Sequence, residues 1–204
     1  MDRERFGSQE QLLALGRVSN LPTVWTNVLA GAALAGGVGS PCQVAIVAIA
    51  LSLFYCGGMF LNDAFDRDVD AIERPQRPIP SGRASAAAVY VLGAAQLVAG
   101  LALLLLVART ATGRVDLALA CGAALAVAIV AYDAAHRATA LSPWLMAACR
   151  ALVYVCAAVA TTATPAWRPV LLAAAGLAVY TAGITYVSRV EASGAASRLW
   201  PAAL

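Results

Sequence analysis

The segment NDAFDRDVDAIERPQRPIPSGR, residues 62–83, decides how this chain folds and where its chemistry lies. It carries five of the chain's eleven acids and four of its fourteen arginines. Uncharged runs at 18–61 and 84–108 flank it, and each is long enough for at least one membrane span of about 20 residues. The segment is therefore a charged connection between hydrophobic helices.

The acids of this segment are spaced for one helix face. If the preceding helix continues, Asp63, Asp66 and Asp70 fall at i, i+3 and i+7, and Asn62 shares their face. Like charges at this spacing repel, which predicts a cation among them. Carboxylate and amide oxygens favour Mg²⁺ or Ca²⁺, and an open acidic face suits Mg²⁺, which keeps water and phosphate in its shell.

An EF-hand is the competing interpretation, because Asp66, Asp68 and Asp70 give a D-x-D-x-D start. The pattern requires glycine at its sixth position and glutamate at its twelfth. This sequence has Ala71 and Arg77 there, which excludes an EF-hand.

Three prolines follow the acids and predict a stiff arm after the helix ends. They would hold Arg74 and Arg77 near the acidic face, where guanidinium groups suit phosphate oxygens. A solvated loop whose arginines only set membrane topology is the alternative for these two residues.

The composition predicts an all-α, polytopic transmembrane helical bundle in a single domain, 1–204. The chain is 61% hydrophobic and 12% charged, with a mean hydropathy of +0.76. A net charge of +3, dispersed along the chain, argues against a nucleic-acid partner. The five cysteines lie apart in apolar runs and predict neither disulfides nor a zinc site. The polar first twenty residues do not resemble a cleavable signal peptide.

The hydrophobic runs predict a surface helix and about six spans. The amphipathic surface helix covers 8–17, and the spans cover about 21–38, 42–61, 84–108, 117–132, 142–162 and 169–188. With a cytoplasmic N terminus, ten arginines fall on inner segments and three on outer turns. This excess places the acidic segment on the cytoplasmic side.

The run NDAFDRDVD fits the NDxxDxxxD signature of the UbiA superfamily of intramembrane prenyltransferases, and RPQRPIPSG resembles the stretch that follows the signature there. The resemblance implies that Asp63, Asp66 and Asp70 are catalytic and hold Mg²⁺ together with Asn62. It also implies that Arg74 and Arg77 help to bind a diphosphate.

Further residues acquire candidate roles from the same resemblance. It suggests that Asn20 and Asn27 bind the substrate, although such asparagines also bond neighbouring helices. Tyr132 matches a Tyr-x-x-x-Lys element in which His136 replaces the lysine and Arg137 supplies the charge. Arg150 lies inside a predicted span and would face the acidic segment or the diphosphate, unless it reaches the membrane surface.

The family places a second aspartate motif where this sequence has only Glu191, which is then the predicted ligand of a further metal ion. Six spans are fewer than the nine typical of the family, so the chain resembles a C-terminally short member. Its second-loop and Arg-x-Glu elements resemble those of the EboC-like branch.

Two functions remain open from the sequence. The first is transfer of an isoprenyl group from its diphosphate to a lipid-soluble, aromatic acceptor within the membrane, with Phe54, Tyr55, Met59 and Phe60 lining the channel for the tail. The second is a non-catalytic protein that binds an isoprenoid or lipid diphosphate, or acts as an accessory or transport subunit. A solute channel is disfavoured, because no predicted span shows a line of polar residues on one face.

Overall fold

A computed structural model describes residues 15–37, 39–137 and 139–192, and this part of the chain is all helical. A 3₁₀ turn, Val18–Asn20, leads into the first of seven α-helices. They are α1 Leu21–Leu34, α2 Pro41–Phe65, α3 Arg67–Glu73, α4 Ala86–Val107, α5 Val115–Ala135, α6 Ser142–Thr161 and α7 Trp167–Ala192. A π-helical turn, Ala108–Thr112, extends α4. The prediction of a polytopic helical bundle is confirmed.

Five helices of the described residues, α2 and α4 to α7, are long and apolar enough to span a membrane. The predicted first span, 21–38, contains α1, whose 14 residues are fewer than those of these five helices. At about 1.5 Å per residue, α1 extends about 21 Å, less than the roughly 30 Å of a bilayer core. Local hydrophobicity did not reveal this early end, which falls at the glycine-rich turn after α1. The predicted surface helix lies outside the described residues except for 15–17.

A capping box starts α2. The backbone N–H of Gln43 donates to Ser40 Oγ at 3.2 Å, and the backbone N–H of Ser40 donates to Gln43 Oε1 at 3.4 Å. The Gln43 amide also donates to the carbonyl oxygen of Ala160 at 2.8 Å, which ties the start of α2 to the end of α6.

Two glycines of α4 allow this helix to approach α2 closely. A Cβ atom at Gly100 would lie 2.8 Å from the carbonyl oxygen of Ala50, and one at Gly93 would lie 2.9 Å from Leu61 Cγ. Both distances are too short for a real contact, so only glycine permits this approach. The prediction that Gly93 and Gly100 serve close packing is confirmed.

The least buried of the five candidate spans is α7.

The acidic segment continues the line of α2 with one small break. The helix α2 ends at Phe65, and α3 begins at Arg67 after Asp66, whose ψ is −3°. Backbone hydrogen bonds from Asp66 to Asn62 and from Asp70 to Asp66 bridge the break at 2.9 and 2.8 Å. The acids therefore keep their helical spacing and share one face.

The arm after α3 folds onto itself. Backbone hydrogen bonds join Arg77 to Arg74 at 3.0 Å and Ala84 to Pro78 at 3.0 Å. Arg83 donates to Ser81 Oγ at 2.8 Å and to the carbonyl oxygen of Gln76. These bonds fix the position from which Arg77 reaches back to the acids.

Candidate functional site

The predicted acidic face is buried in the bundle. Asp70 is 1% exposed, and Asn62, Asp63 and Asp66 are all below 9%. Asp68 of the same segment points away, with its side chain 86% exposed. Buried carboxylates require a cation or hydrogen bonds, since desolvation of an unpaired charge is costly.

Arg77 neutralises two of these acids at once. Its Nη1 lies 3.0 Å from Asp63 Oδ1 and 2.5 Å from Asp70 Oδ2. Arg17, just before α1, adds a longer contact of 3.5 Å to Asp63 Oδ1. The arm thus places Arg77 beside the acids as predicted. Arg74 is exposed, and it lines the polar cavity described below.

Asp66 pairs with the turn between α5 and α6. Arg137 Nε donates to Asp66 Oδ1 at 2.9 Å, and His136 Nε2 lies 3.5 Å from the same oxygen. Burial would raise the pKa of Asp66, but these two partners together hold it below its ordinary value. The hydrogen bond to Asp66 raises the pKa of His136 above its ordinary value. Tyr132 stacks on the His136 ring with the ring centroids 5.2 Å apart.

The oxygen donors suit Mg²⁺ in part. Asp70 Oδ1 is buried without a hydrogen-bond partner within 15–37, 39–137 and 139–192, and a guanidinium nitrogen already bridges Asp63 and Asp70 as a divalent cation would. Within the described ranges, however, no three His, Cys, Asp or Glu side chains are gathered closely enough to hold one ion. Since Mg²⁺ needs only one or two carboxylates besides water and phosphate, the set suits an ion that displaces Arg77.

A polar cavity of about 720 Å³ opens beside the acids. Five arginines line it, from the start of the chain, the arm, the α5–α6 turn and α7: Arg17, Arg74, Arg77, Arg137 and Arg189. Asp66 and Glu73 are the acids in its wall. Arg189 donates to Ser142 Oγ at 2.7 Å, which holds α7 against the start of α6. The excess of guanidinium groups favours an anion with several oxygens.

An apolar cavity of about 230 Å³ lies between α1, α2, α5 and α6. Phe54, Tyr55 and Met59 line it, as predicted for the tail channel. Phe60, predicted with them, instead packs with Val89 of α4 in a separate cluster, so that prediction is wrong. Two residues, Arg17 and Tyr132, line both cavities.

The other predicted substrate residues divide between the two cavities. Asn20 and Arg150 line the apolar cavity, and Arg150 Nη1 donates to Thr23 Oγ1 at 3.3 Å. Arg150 therefore does not face the acidic segment, contrary to one expectation. Asn27 is half-buried on α1 and is not among the residues that line either cavity. Glu191 is exposed near the end of α7 and lines neither cavity, so its role as a metal ligand stays a prediction.

Three residues of the site have no catalytic or binding role in the predictions from sequence. Arg17 and Arg189 were assigned only to membrane topology, and Asp133 was not given a role. Asp133 is 4% exposed, and its Oδ1 accepts a hydrogen bond from Asn62 Nδ2 at 3.3 Å. The signal available in the sequence was an acid near the end of an otherwise uncharged span.

The fold and the site define an integral membrane protein in which an arginine-lined cavity meets an apolar one. Residues 23–196 match the sequence model of the UbiA prenyltransferase family, and the chain belongs to this family. The suspected relationship is confirmed.

Curated relatives match shorter parts of the chain. The digeranylgeranylglyceryl phosphate synthase of Natronomonas pharaonis is 37% identical over 121 residues, which cover 59% of this chain and 41% of that protein. The protein of the same name from Ignicoccus hospitalis is 38% identical over 97 residues, covering 48% of this chain and 31% of that protein. The chain thus covers less than half the length of these relatives.

A solved structure supports the fold. It comes from work described as structural and mechanistic insights into digeranylgeranylglyceryl phosphate synthase in membranes. The TM-score is 0.75 at 19% identity, and the match covers 93% of this chain and 65% of that chain. At this identity the likeness concerns the fold alone.

Proposed function

We propose that this chain transfers an isoprenyl group from an isoprenyl diphosphate to a lipid-soluble acceptor within the membrane, with Mg²⁺ as cofactor. The observation that carries the proposal is the meeting of the two cavities at Arg17 and Tyr132. One cavity suits a multiply charged head group and the other an apolar tail, so together they suit one amphiphile.

The diphosphate would bind among the arginines of the polar cavity. Mg²⁺ would be held by one or two carboxylates from Asp63, Asp66 and Asp70, together with Asn62. When bound, it would neutralise the charge that develops on the leaving diphosphate. Arg137, fixed by Asp66 at 2.9 Å, is already oriented along the cavity wall.

The isoprenyl tail would lie in the apolar cavity. Breaking the allylic C–O bond leaves both electrons on the diphosphate and a cation on the tail, which must be kept from water until the acceptor attacks. The acceptor then gives up the proton of the attacking group, which the released diphosphate can accept. Phe54 and Tyr55 supply aromatic faces that stabilise positive charge. Tyr132, which lines both cavities, marks where the bond would break.

Two acceptor classes are compatible with this site. The family resemblance suggests an aromatic acceptor, whereas the names of the relatives suggest a glyceryl phosphate lipid. Asn20 and Arg150 line the apolar cavity and could bind an acidic group of either acceptor. We place the polar cavity on the cytoplasmic side, because the arginines of the chain concentrate at that end of the bundle.

A second candidate function is binding without transfer. It is favoured by Glu191, which stands where the family resemblance implies a second group of metal ligands. Glu191 is exposed and does not line the polar cavity. In this case the protein would hold an isoprenoid or lipid diphosphate, or serve as an accessory or transport subunit.

Turnover of a labelled isoprenyl diphosphate by membranes containing the chain separates the two functions. We expect Mg²⁺-dependent diphosphate release that falls about 100-fold or more in Asp66→Asn, because a residue that positions the diphosphate site is lost. Asp68→Asn is the matched control, since Asp68 lies two residues away and faces outward. Release that survives Asp66→Asn contradicts the catalytic proposal, and binding without release supports the second candidate.

A further inference from the structure

Asp133 is a buried carboxylate that the proposed diphosphate site leaves unused. It belongs to the last turns of α5 and lines the apolar cavity but not the polar one. Its Oδ1 accepts the hydrogen bond from Asn62, whereas its Oδ2 is buried without a hydrogen-bond partner among the residues that the structure describes. One oxygen is thus held in place and the other is free for a ligand.

The arginines in the same cavity wall do not satisfy this oxygen. Arg17 contacts Asp63, and Arg150 donates to Thr23. An unpaired buried oxygen destabilises a protein, and more so when it is charged. A ligand that donates a hydrogen bond to Oδ2 would recover this free energy, and a ligand without a donor would not.

We propose that Asp133 Oδ2 accepts a hydrogen bond from a hydroxyl group of the acceptor, so that the chain selects acceptors which present a hydroxyl in the apolar cavity. The inference rests on the proposed function, since it assigns the second substrate of that reaction. A hydroxyl is the group that glycerol-based and phenolic acceptors share.

The position of Asp133 suits this role. Its neighbour Tyr132 lines both cavities, so a hydroxyl bound at Asp133 lies close to where the diphosphate and its tail would meet. The hydrogen bond from Asn62 fixes the carboxylate, and Asn62 in turn belongs to the acidic face. Acceptor and donor substrates would therefore be positioned by adjacent residues of one network.

Two matched lipids test the inference by binding alone. Purified protein is incubated in detergent micelles with tritiated 1-O-hexadecylglycerol or with its di-O-methyl ether, and retained lipid is counted. We expect the free hydroxyl form to bind about tenfold more tightly, because only it can donate to Oδ2. In Asp133→Asn, the new side-chain oxygen would accept the hydrogen bond from Asn62, so the new NH₂ group would stand where Oδ2 was. We therefore expect the preference for the hydroxyl form to fall to about twofold or less.

The controls separate this result from misfolding. Asp116→Asn changes an exposed acid at the other end of α5 and should keep the tenfold preference. Retention of isoprenyl diphosphate by Asp133→Asn, within about twofold of the original, shows that the polar cavity is intact. If the original protein binds both lipids equally, or if Asp133→Asn keeps the preference, the inference is overturned.

The same measurements separate the inference from the proposed function. Equal binding of the two lipids, combined with isoprenyl diphosphate turnover that requires Asp66, leaves the transferase proposal intact and removes the role of Asp133. A preference that depends on Asp133 in a protein without turnover retains the hydroxyl site and removes the transferase proposal.

Discussion

The two cavities of this protein differ in how their polar groups are satisfied. Beside the polar cavity, buried acids are paired with arginines, as Arg77 pairs with Asp63 and Asp70, and Arg137 with Asp66. In the apolar cavity, Asp133 has one oxygen bonded to Asn62 and one without a partner in the part of the chain that the structure describes. The polar cavity carries more guanidinium groups than acids in its wall, whereas in the apolar cavity one carboxylate oxygen has no donor among the described residues.

This difference indicates what each region is prepared to bind. Arginines that already neutralise acids can move to a phosphate when a metal ion takes over the acids, so the polar cavity exchanges partners. The apolar cavity would instead recognise a ligand by its shape and by one hydrogen bond, as small-molecule sites usually do. Perturbing one cavity should therefore leave the other largely unchanged.

Metal removal should have the largest effect and should be confined to the polar cavity. We expect chelation with EDTA to lower isoprenyl diphosphate turnover about 100-fold or more, because the leaving diphosphate loses its counter-charge. Binding of 1-O-hexadecylglycerol should change by about twofold at most. Added Mg²⁺ should restore turnover better than Zn²⁺, which prefers nitrogen and sulfur ligands. Turnover that is insensitive to EDTA would remove the metal from the proposal.

Arg77→Leu should destabilise the metal-free protein by about 3–5 kcal/mol, because it leaves the Asp63 and Asp70 carboxylates buried without their partner. Unfolding in detergent after EDTA treatment measures this change, and added Mg²⁺ should recover part of it. Arg67→Leu removes an exposed ion pair and should cost less than about 0.5 kcal/mol. Equal losses for both variants would show that Arg77 does not balance the buried acids.

Met59→Trp should affect the apolar cavity alone. A larger side chain in its wall shortens the space for the tail, so we expect turnover with a 20-carbon isoprenyl diphosphate to fall about tenfold more than turnover with a 10-carbon one. Ile49→Trp, on the exposed surface of the same helix, is the control. An equal loss for both chain lengths would place the tail elsewhere.

Arg137→Lys should have the smallest effect. Lysine keeps the charge beside Asp66 but loses the planar fork, and we expect KM for the isoprenyl diphosphate to rise about fivefold. Arg83→Lys, whose bonds lie within the arm, is the matched control and should leave KM within about twofold. If Arg83→Lys raises KM as much as Arg137→Lys does, the pairing of the Arg137 guanidinium with Asp66 has no particular role in binding the diphosphate.

Local periodicity explains why much of the site could be predicted. The spacing of Asp63, Asp66 and Asp70 fixes one face whatever surrounds the helix, and the structure buries that face. The same spacing places Asp68 outside it. Phe60 lies one residue from Met59 and so about 100° around the helix. That α4 is the element it packs against depends on the tertiary arrangement, which no local pattern specifies. The roles of Arg17 and Asp133 depend on the same tertiary arrangement.

The sequence by itself determined that this protein is a helical membrane bundle with an ordered row of acids at one membrane boundary, because hydrophobic length and helical spacing are local properties. Tertiary structure alone decided which arginine neutralises which acid, where α1 ends, and that Asp133 lies in an apolar cavity with one oxygen unpaired. These outcomes depend on contacts between residues far apart in the chain, as between Asp66 and Arg137, which no local pattern specifies.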